Sequence, residues 1–132
     1  ASVEGTPMDF RTEKQIGQDI RADFEQLHFT GGYDHNYVLG RPGEKKIMAN
    51  AYCRESGIAL EAATDCCGVQ FYAGNFIGEQ TGKGGAAYHD RSAFCLESQF
   101  YPNAVNEPDF PSPVVKAGDT YHTETSYRFY LR

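Results

Sequence analysis

Lys46-Ile47-Met48-Ala49-Asn50-Ala51-Tyr52-Cys53, then Glu55-Ser56-Gly57, then Ile58-Ala59-Leu60-Glu61-Ala62-Ala63-Thr64: the reading of this stretch decides the fold class. Two short runs that tolerate extended backbone flank a Ser-Gly turn, which is the pattern of a β-hairpin. The same pattern recurs to the C-terminal side. Val69-Gln70-Phe71-Tyr72-Ala73, between Gly68 and Gly74, predicts a third strand. Ala93–Phe100 predicts a fourth. Thr120–Tyr130 is the cleanest alternation, with Tyr121, Thr123, Thr125, Tyr127 and Phe129 on one face. Val38-Leu39 and Val114-Val115 are candidates for shorter strands.

One segment has helical periodicity. Between Gly17 and Leu27, the apolar residues Ile20, Phe24 and Leu27 recur at i, i+4 and i+7, with Asp19 or Asp23 available at the start. At most one short helix is expected. Segments 78–91 and 102–113, rich in glycine and proline respectively, read as loops. The class is therefore all-β and sandwich-like. A small set of strands also leaves open sheet edges, which invite pairing.

Composition narrows the function classes. The chain has 132 residues, 40% hydrophobic, 14% aromatic and 23% charged, which excludes a disordered or collagenous chain. No apolar run approaches the roughly 20 residues that cross a bilayer as a helix, so no membrane partner is expected. The net charge of −6 argues against nucleic acid, because phosphate neutralisation needs a basic face. The N-terminus, Ala1-Ser2-Val3, shows neither an initiator Met nor a signal peptide, which suggests processing or a fragment. Cysteines stand at 53, 66, 67 and 95 without CxxC spacing. Cys66 and Cys67 are adjacent, and vicinal pairs rarely bridge. Reduced thiols and a cytoplasmic location are the expectation.

Three places hold polar residues that could do chemistry. Glu97 lies within Phe94-Cys95-Leu96-Glu97-Ser98-Gln99-Phe100 and shares a face with Cys95 and Gln99. It is either a solvent-facing residue of a two-faced strand or a pocket carboxylate able to act as a general base. Gln70, between Val69 and Phe71, is either an exposed strand position or an amide presented to a hydroxylated ligand. Asp34-His35-Asn36 follows Gly31-Gly32-Tyr33, and reads as a tight loop with projecting side chains or as plain turn chemistry. Asp34 with Glu97 could form a carboxylate pair of the glycosidase kind. His28, His35, His89 and His122 are scattered, without HxH or HExxH spacing, so no metal site is implied. No phosphate loop, nucleophile elbow or dinucleotide fingerprint is present.

These residues carry a resemblance. The chain resembles the C-terminal part of the aldose 1-epimerase (galactose mutarotase) family. The matching segments begin with Val3-Glu4-Gly5-Thr6-Pro7-Met8-Asp9-Phe10-Arg11, Gly32-Tyr33-Asp34-His35-Asn36-Tyr37, and Gly68-Val69-Gln70-Phe71-Tyr72-Ala73-Gly74-Asn75-Phe76. They continue with Gly82–Ala86, Phe94-Cys95-Leu96-Glu97-Ser98-Gln99, Pro102-Asn103-Ala104-Val105-Asn106, Phe110-Pro111 and Ala117–Tyr121, in the family's order.

The resemblance implies an antiparallel β-supersandwich, with residues 1–132 forming its C-terminal part. It implies interconversion of the α and β anomers of a free aldohexose such as galactose or glucose, by acid/base ring opening, with no cofactor. Glu97 takes the role of the catalytic base, and Asp34 and Gln70 those of sugar-binding residues. His35 is assigned to structure. Phe71, Tyr72 and Phe76 are assigned to the core in preference to a cleft wall. With no Trp, any stacking on a sugar uses Tyr or Phe.

Two departures stand out. Asp65-Cys66-Cys67-Gly68 replaces the family's usual Thr-Gln-Pro-Gly. The family's acid is a histidine in an upstream Asn-His-x-Tyr-Phe-Asn motif, which these 132 residues do not contain. The expected partner besides the sugar is thus a missing N-terminal half or a second copy of the chain. The alternative function is a carbohydrate-binding module or subunit that holds a sugar without converting it.

Overall fold

The computed structural model describes residues 1–132. One helix, α1 (Glu25–Thr30), precedes eight strands. They are β1 (Asp34–Val38), β2 (Lys46–Tyr52), β3 (Ile58–Thr64), β4 (Gly68–Tyr72), β5 (Gln80–Thr81), β6 (Ala87–Tyr88), β7 (Cys95–Gln99) and β8 (Thr125–Leu131). Two single turns of 3-10 helix, Lys83–Gly85 and Ala104–Asn106, complete the list. The strands form sheets in the orders β1-β4-β7, β2-β3-β8 and β5-β6. The chain divides into two compact units, one of residues 1–35 with 71–95, the other of residues 36–70 with 96–132.

In the first unit an aromatic cluster forms the core. Tyr33, fully buried, stacks on Phe71 at 5.5 Å, and Phe10 meets both rings edge-on. Such ring pairs add roughly 0.5–1.5 kcal/mol beyond the burial of their area. The Tyr33 hydroxyl donates to the Pro7 carbonyl at 2.9 Å, and burial pushes its pKa up to about 12. Lys14 donates to the same carbonyl, pairs with Asp19 and lies over the Phe10 ring.

The helix begins later than its periodicity predicts. Ile20 and Leu27 are buried as the apolar pattern requires, but residues before Phe24 form separate turns. Neither aspartate caps the helix. Asp19 is held by Lys14, Asp23 pairs with His28, and the residue preceding the helix is Phe24, without a side-chain cap. Gly31, at φ 63°, ends the helix in the left-handed conformation open to glycine.

The Asp34-His35-Asn36 loop expected from sequence is instead the start of β1. Gly31 and Gly32, both at positive φ, make the turn before it, so the polar triplet is free to extend. At the two ends of the β1–β4 pairing, Ala73 N–H donates to the Tyr33 carbonyl and Leu39 N–H to the Cys67 carbonyl. These bonds fix an antiparallel register.

In the second unit the hairpin appears as read. β2 and β3 pair antiparallel from Lys46↔Thr64 to Tyr52↔Ala59, with a bulge between Ile47 and Ala49. β8 pairs with the other edge of β3, from Ile58↔Leu131 to Thr64↔Thr125. Ala59, Ala62 and Thr64 are buried, whereas Phe129 and Leu131 are 69% and 81% exposed. Thr125 donates to Ser98 at 2.8 Å, and the Tyr127 hydroxyl donates to the Leu96 carbonyl, which ties β8 to β7.

Two strand expectations fail here. Val114 and Val115 are exposed and outside any strand. The final strand starts at Thr125, not Thr120: the Asp65 N–H still donates to the Glu124 carbonyl, but the Glu124 N–H and the Thr123 hydroxyl turn to the Asp65 carboxylate.

Candidate functional site

Gln99, near the end of β7, is the hub of the second unit's polar face. Its Nε2 donates to Asn36 Oδ1 on β1 at 3.1 Å and to Gln70 Oε1 on β4 at 3.3 Å. The β1–β4 register explains the meeting. Counting inward from Leu39 and Cys67 places Asn36 opposite Gln70, and cross-strand neighbours on one face lie about 5 Å apart. Asn36, Gln70 and Gln99 are all half-buried. Val69, on the opposite face of β4, is buried.

Alternation carries the face along each strand. On β7, Glu97 stands two residues before Gln99 and so shares its face. Glu97 is exposed. On β1, Asp34 stands two residues before Asn36. It belongs to the first unit, where it is half-buried. Gln70 is the predicted sugar-binding residue placed directly in the amide network.

Gly68 makes that network possible. A Cβ there would lie 2.6 Å from Asn36 Oδ1 and 3.1 Å from the Tyr101 ring. Beside it runs the departing turn. Asp65 accepts the Thr123 hydroxyl at 2.6 Å and the Glu124 N–H at 2.9 Å, and these bonds hold its carboxyl below the usual range. The Cys66 N–H donates to Thr64 Oγ1, and the Cys66 sulfur meets Thr123 Oγ1 at 3.1 Å. The Cys67 thiol donates to the Gln99 carbonyl at 3.7 Å, and burial pushes its pKa up. Cys67 is therefore a packing group beneath Gln99. None of the four cysteines forms a disulfide.

In the first unit, Asn75 holds the approach to Asp34. Its Nδ2 donates to the Thr30 and Tyr33 carbonyls at 3.1 and 3.0 Å. A Cβ at Gly32 would collide with Asn75 Oδ1 at 2.3 Å, so Gly32 and Asn75 are matched. His35 accepts the Asp34 N–H on Nδ1 at 3.0 Å, and burial lowers its pKa. Phe71 is core, as expected. Tyr72 is half-buried, its hydroxyl accepting the Phe76 N–H. Phe76 is a correction, since it is exposed at the surface, where Tyr72 holds only its backbone.

Asn36, Gln99 and Asn75 make hydrogen bonds that sequence reasoning left unassigned. The available signal for Gln99 was its shared face with Glu97. None existed for Asn75, whose partners are backbone carbonyls.

An all-β chain of antiparallel sheets with one polar strand face defines the class, and comparison defines the family. The model of the aldose 1-epimerase family matches residues 1–128. The chain belongs to the aldose 1-epimerase family. It is 42% identical over 130 residues to the galactose mutarotase of Bos taurus, covering 98% of this chain and 36% of that protein. It is 36% identical over 131 residues to the aldose 1-epimerase of Escherichia coli K12, covering 97% of this chain and 38% of that protein. The fold is similar to the crystal structure of a GalM/aldose epimerase homologue from C. elegans, with a TM-score of 0.76 and 29% identity. That likeness covers 98% of this chain and 38% of the other. The chain thus spans little more than a third of the length of the relatives it matches.

Proposed function

We propose that residues 1–132 are the C-terminal part of a galactose mutarotase-like domain. The domain interconverts the α and β anomers of a free aldohexose. Glu97 is the base that takes the proton from the C1 hydroxyl. An acid protonates the ring oxygen, the ring opens, rotation about C1–C2 turns the carbonyl, and closure on its other face gives the other anomer. Asp34 and Gln70 hold the sugar hydroxyls. The acid, a histidine on this reading, comes from outside these 132 residues.

One observation supports the reading most. In a chain of this family, Gln99 gathers Gln70 and Asn36 on one face, and Glu97 shares that face along β7. An exposed carboxylate beside paired amides suits a group that must exchange protons with substrate and then with water. The exposed apolar residues Ile58, Phe129 and Leu131 are read as a surface covered by the rest of the fold, in the same polypeptide or a separate one.

The test is polarimetry of α-galactose with the full-length gene product. Acceleration is expected, with Glu97→Gln lowering kcat by about 10²–10⁴-fold, the usual contribution of one positioned proton-transfer group. The 132-residue chain alone should be weak or inactive. Full activity of Glu97→Gln would remove Glu97 from the role. Sugar binding without acceleration by the full-length protein would favour a carbohydrate-binding module.

A further inference from the structure

The turn that leads into Asp34 has no idle acceptor. Each carbonyl from Thr30 to Tyr33 takes a side-chain donor. The Thr30 and Tyr33 carbonyls accept from Asn75 Nδ2, at 3.1 and 3.0 Å. The Gly32 carbonyl accepts the Thr30 hydroxyl at 2.6 Å. The Gly31 carbonyl accepts Nη2 of the Arg91 guanidinium at 2.8 Å. Arg91 is the exposed member of this set and reaches across sixty positions of sequence.

Arg91 arrives there through a strained backbone. It is the third residue of a turn closed by the Ser92 N–H on the His89 carbonyl at 3.0 Å, and its φ is 66°. In a type II turn that place belongs to glycine, which adopts positive φ freely. A long side chain held there calls for a reason, and strain of this kind gathers at functional sites. The main chain is fastened as well. The Arg91 N–H donates to the Gly74 carbonyl at 2.7 Å, and a Cβ at Gly74 would lie 2.4 Å from the Ala93 carbonyl oxygen. The backbone thus brings Arg91 to the residue before Asn75, and the guanidinium crosses to the turn before β1.

We infer that Arg91 is a positioning residue for sugar binding: with Asn75 it fixes the Gly31-Gly32 turn, and through that turn the direction in which Asp34 meets the sugar hydroxyls. The inference rests on the proposed sugar-binding role of Asp34 and adds what sets it. Two successive glycines are the loosest backbone a chain can place before a binding residue. A binding group must be held to within about 0.5 Å, by neighbours that are themselves fixed. A guanidinium, always charged and rigid, is a strong donor for that task.

The experiment uses the full-length gene product, with galactose mutarotation followed by polarimetry and stability by urea unfolding. Arg91→Gly suits the turn and deletes the reach to Gly31. It should raise KM roughly 3- to 10-fold, the worth of one hydrogen bond, with kcat changed less than about 2-fold. Its urea midpoint should hold or rise, because glycine relieves the turn. Arg91→Lys keeps a cationic donor and the strain, so it should recover most of the affinity without raising the midpoint. A merely structural residue would move KM and midpoint together. In an Asp34→Ala background, Arg91→Gly should change kcat/KM by less than about 2-fold, because Arg91 acts through Asp34. Arg91→Asn, also tolerant of left-handed φ, gives the same test should glycine loosen the loop.

A wild-type KM in both Arg91→Gly and Arg91→Asn, or the same loss with and without the Asp34 carboxylate, would overturn the inference while leaving the epimerase reading intact. A wild-type KM in Asp34→Ala would remove Asp34 from its role, and this inference with it. A wild-type protein that neither binds nor converts galactose would overturn the reading itself.

Discussion

His35 shows how a single side chain can be fixed by the backbone bond it accepts. It follows Asp34, yet alternation turns it to the other face of β1. Its Nδ1 accepts the Asp34 N–H, a role open only to neutral imidazole. Burial lowers its pKa below the ordinary value of 6.5. The unfolded chain therefore takes up a proton at a higher pH than the folded one, so the stability linked to His35 is complete above about 6.5 and is lost as the pH falls through the folded value. The urea midpoint should drop between about pH 7 and pH 5.5. In His35→Gln that drop should be smaller, and an equal drop would assign the pH dependence elsewhere. Asp34 could be proposed from its motif alone. The reason for its placement could not, since it lies in Asn75, forty-one positions further on, bonding to carbonyls that no residue type announces.

At the level of elements, the β2–β3 hairpin was legible because its determinants are local. A glycine at φ 69° closes the turn, and the two runs beside it accept extended backbone. The helix was legible in kind but not in place. An isolated helix of this length is marginal in water, so tertiary partners choose where it starts. Here Lys14 draws Asp19 away from any capping role. The last strand shows the same limit, because the Asp65 carboxylate takes the Thr123 hydroxyl and the Glu124 N–H within an alternation that looked continuous.

Gly68 tests how far one element depends on another. Gly68→Ala places a methyl group against Asn36 Oδ1 and the Tyr101 ring, both across from β4. A loss of about 1–3 kcal/mol is expected from the overpacking, measurable by urea unfolding. Its φ is not in the left-handed region, so the cost belongs to the collision. Unchanged stability would mean that Asn36 moves aside at no cost. The fourth residue of the turn is glycine both here and in the family's usual pattern. The three before it differ, and two of them are now buried sulfurs.

Across the whole molecule, the polar and apolar assignments of the sequence were more readable than its tertiary partners. Asp34, Gln70 and Glu97 lie on strands, whereas β8 shows no alternation of burial, since Tyr127 to Leu131 are all exposed. Yet alternation alone could not tell a covered face from an open one, which is why Phe129 and Leu131 are exposed while Ala62, on the neighbouring strand, is not. The same uneven cover divides the sulfhydryls. Cys53 and Cys95 face solvent, and Cys66 and Cys67 do not. A chromogenic thiol reagent should therefore titrate two groups at once and two only as the fold opens. The slow pair makes the protein its own stopwatch: at high reagent concentration, the lag between the two phases times how long the turn beneath Gln99 stays shut, with no dye or label added to the sequence. Four groups reacting together would show that this turn opens faster than the reagent arrives.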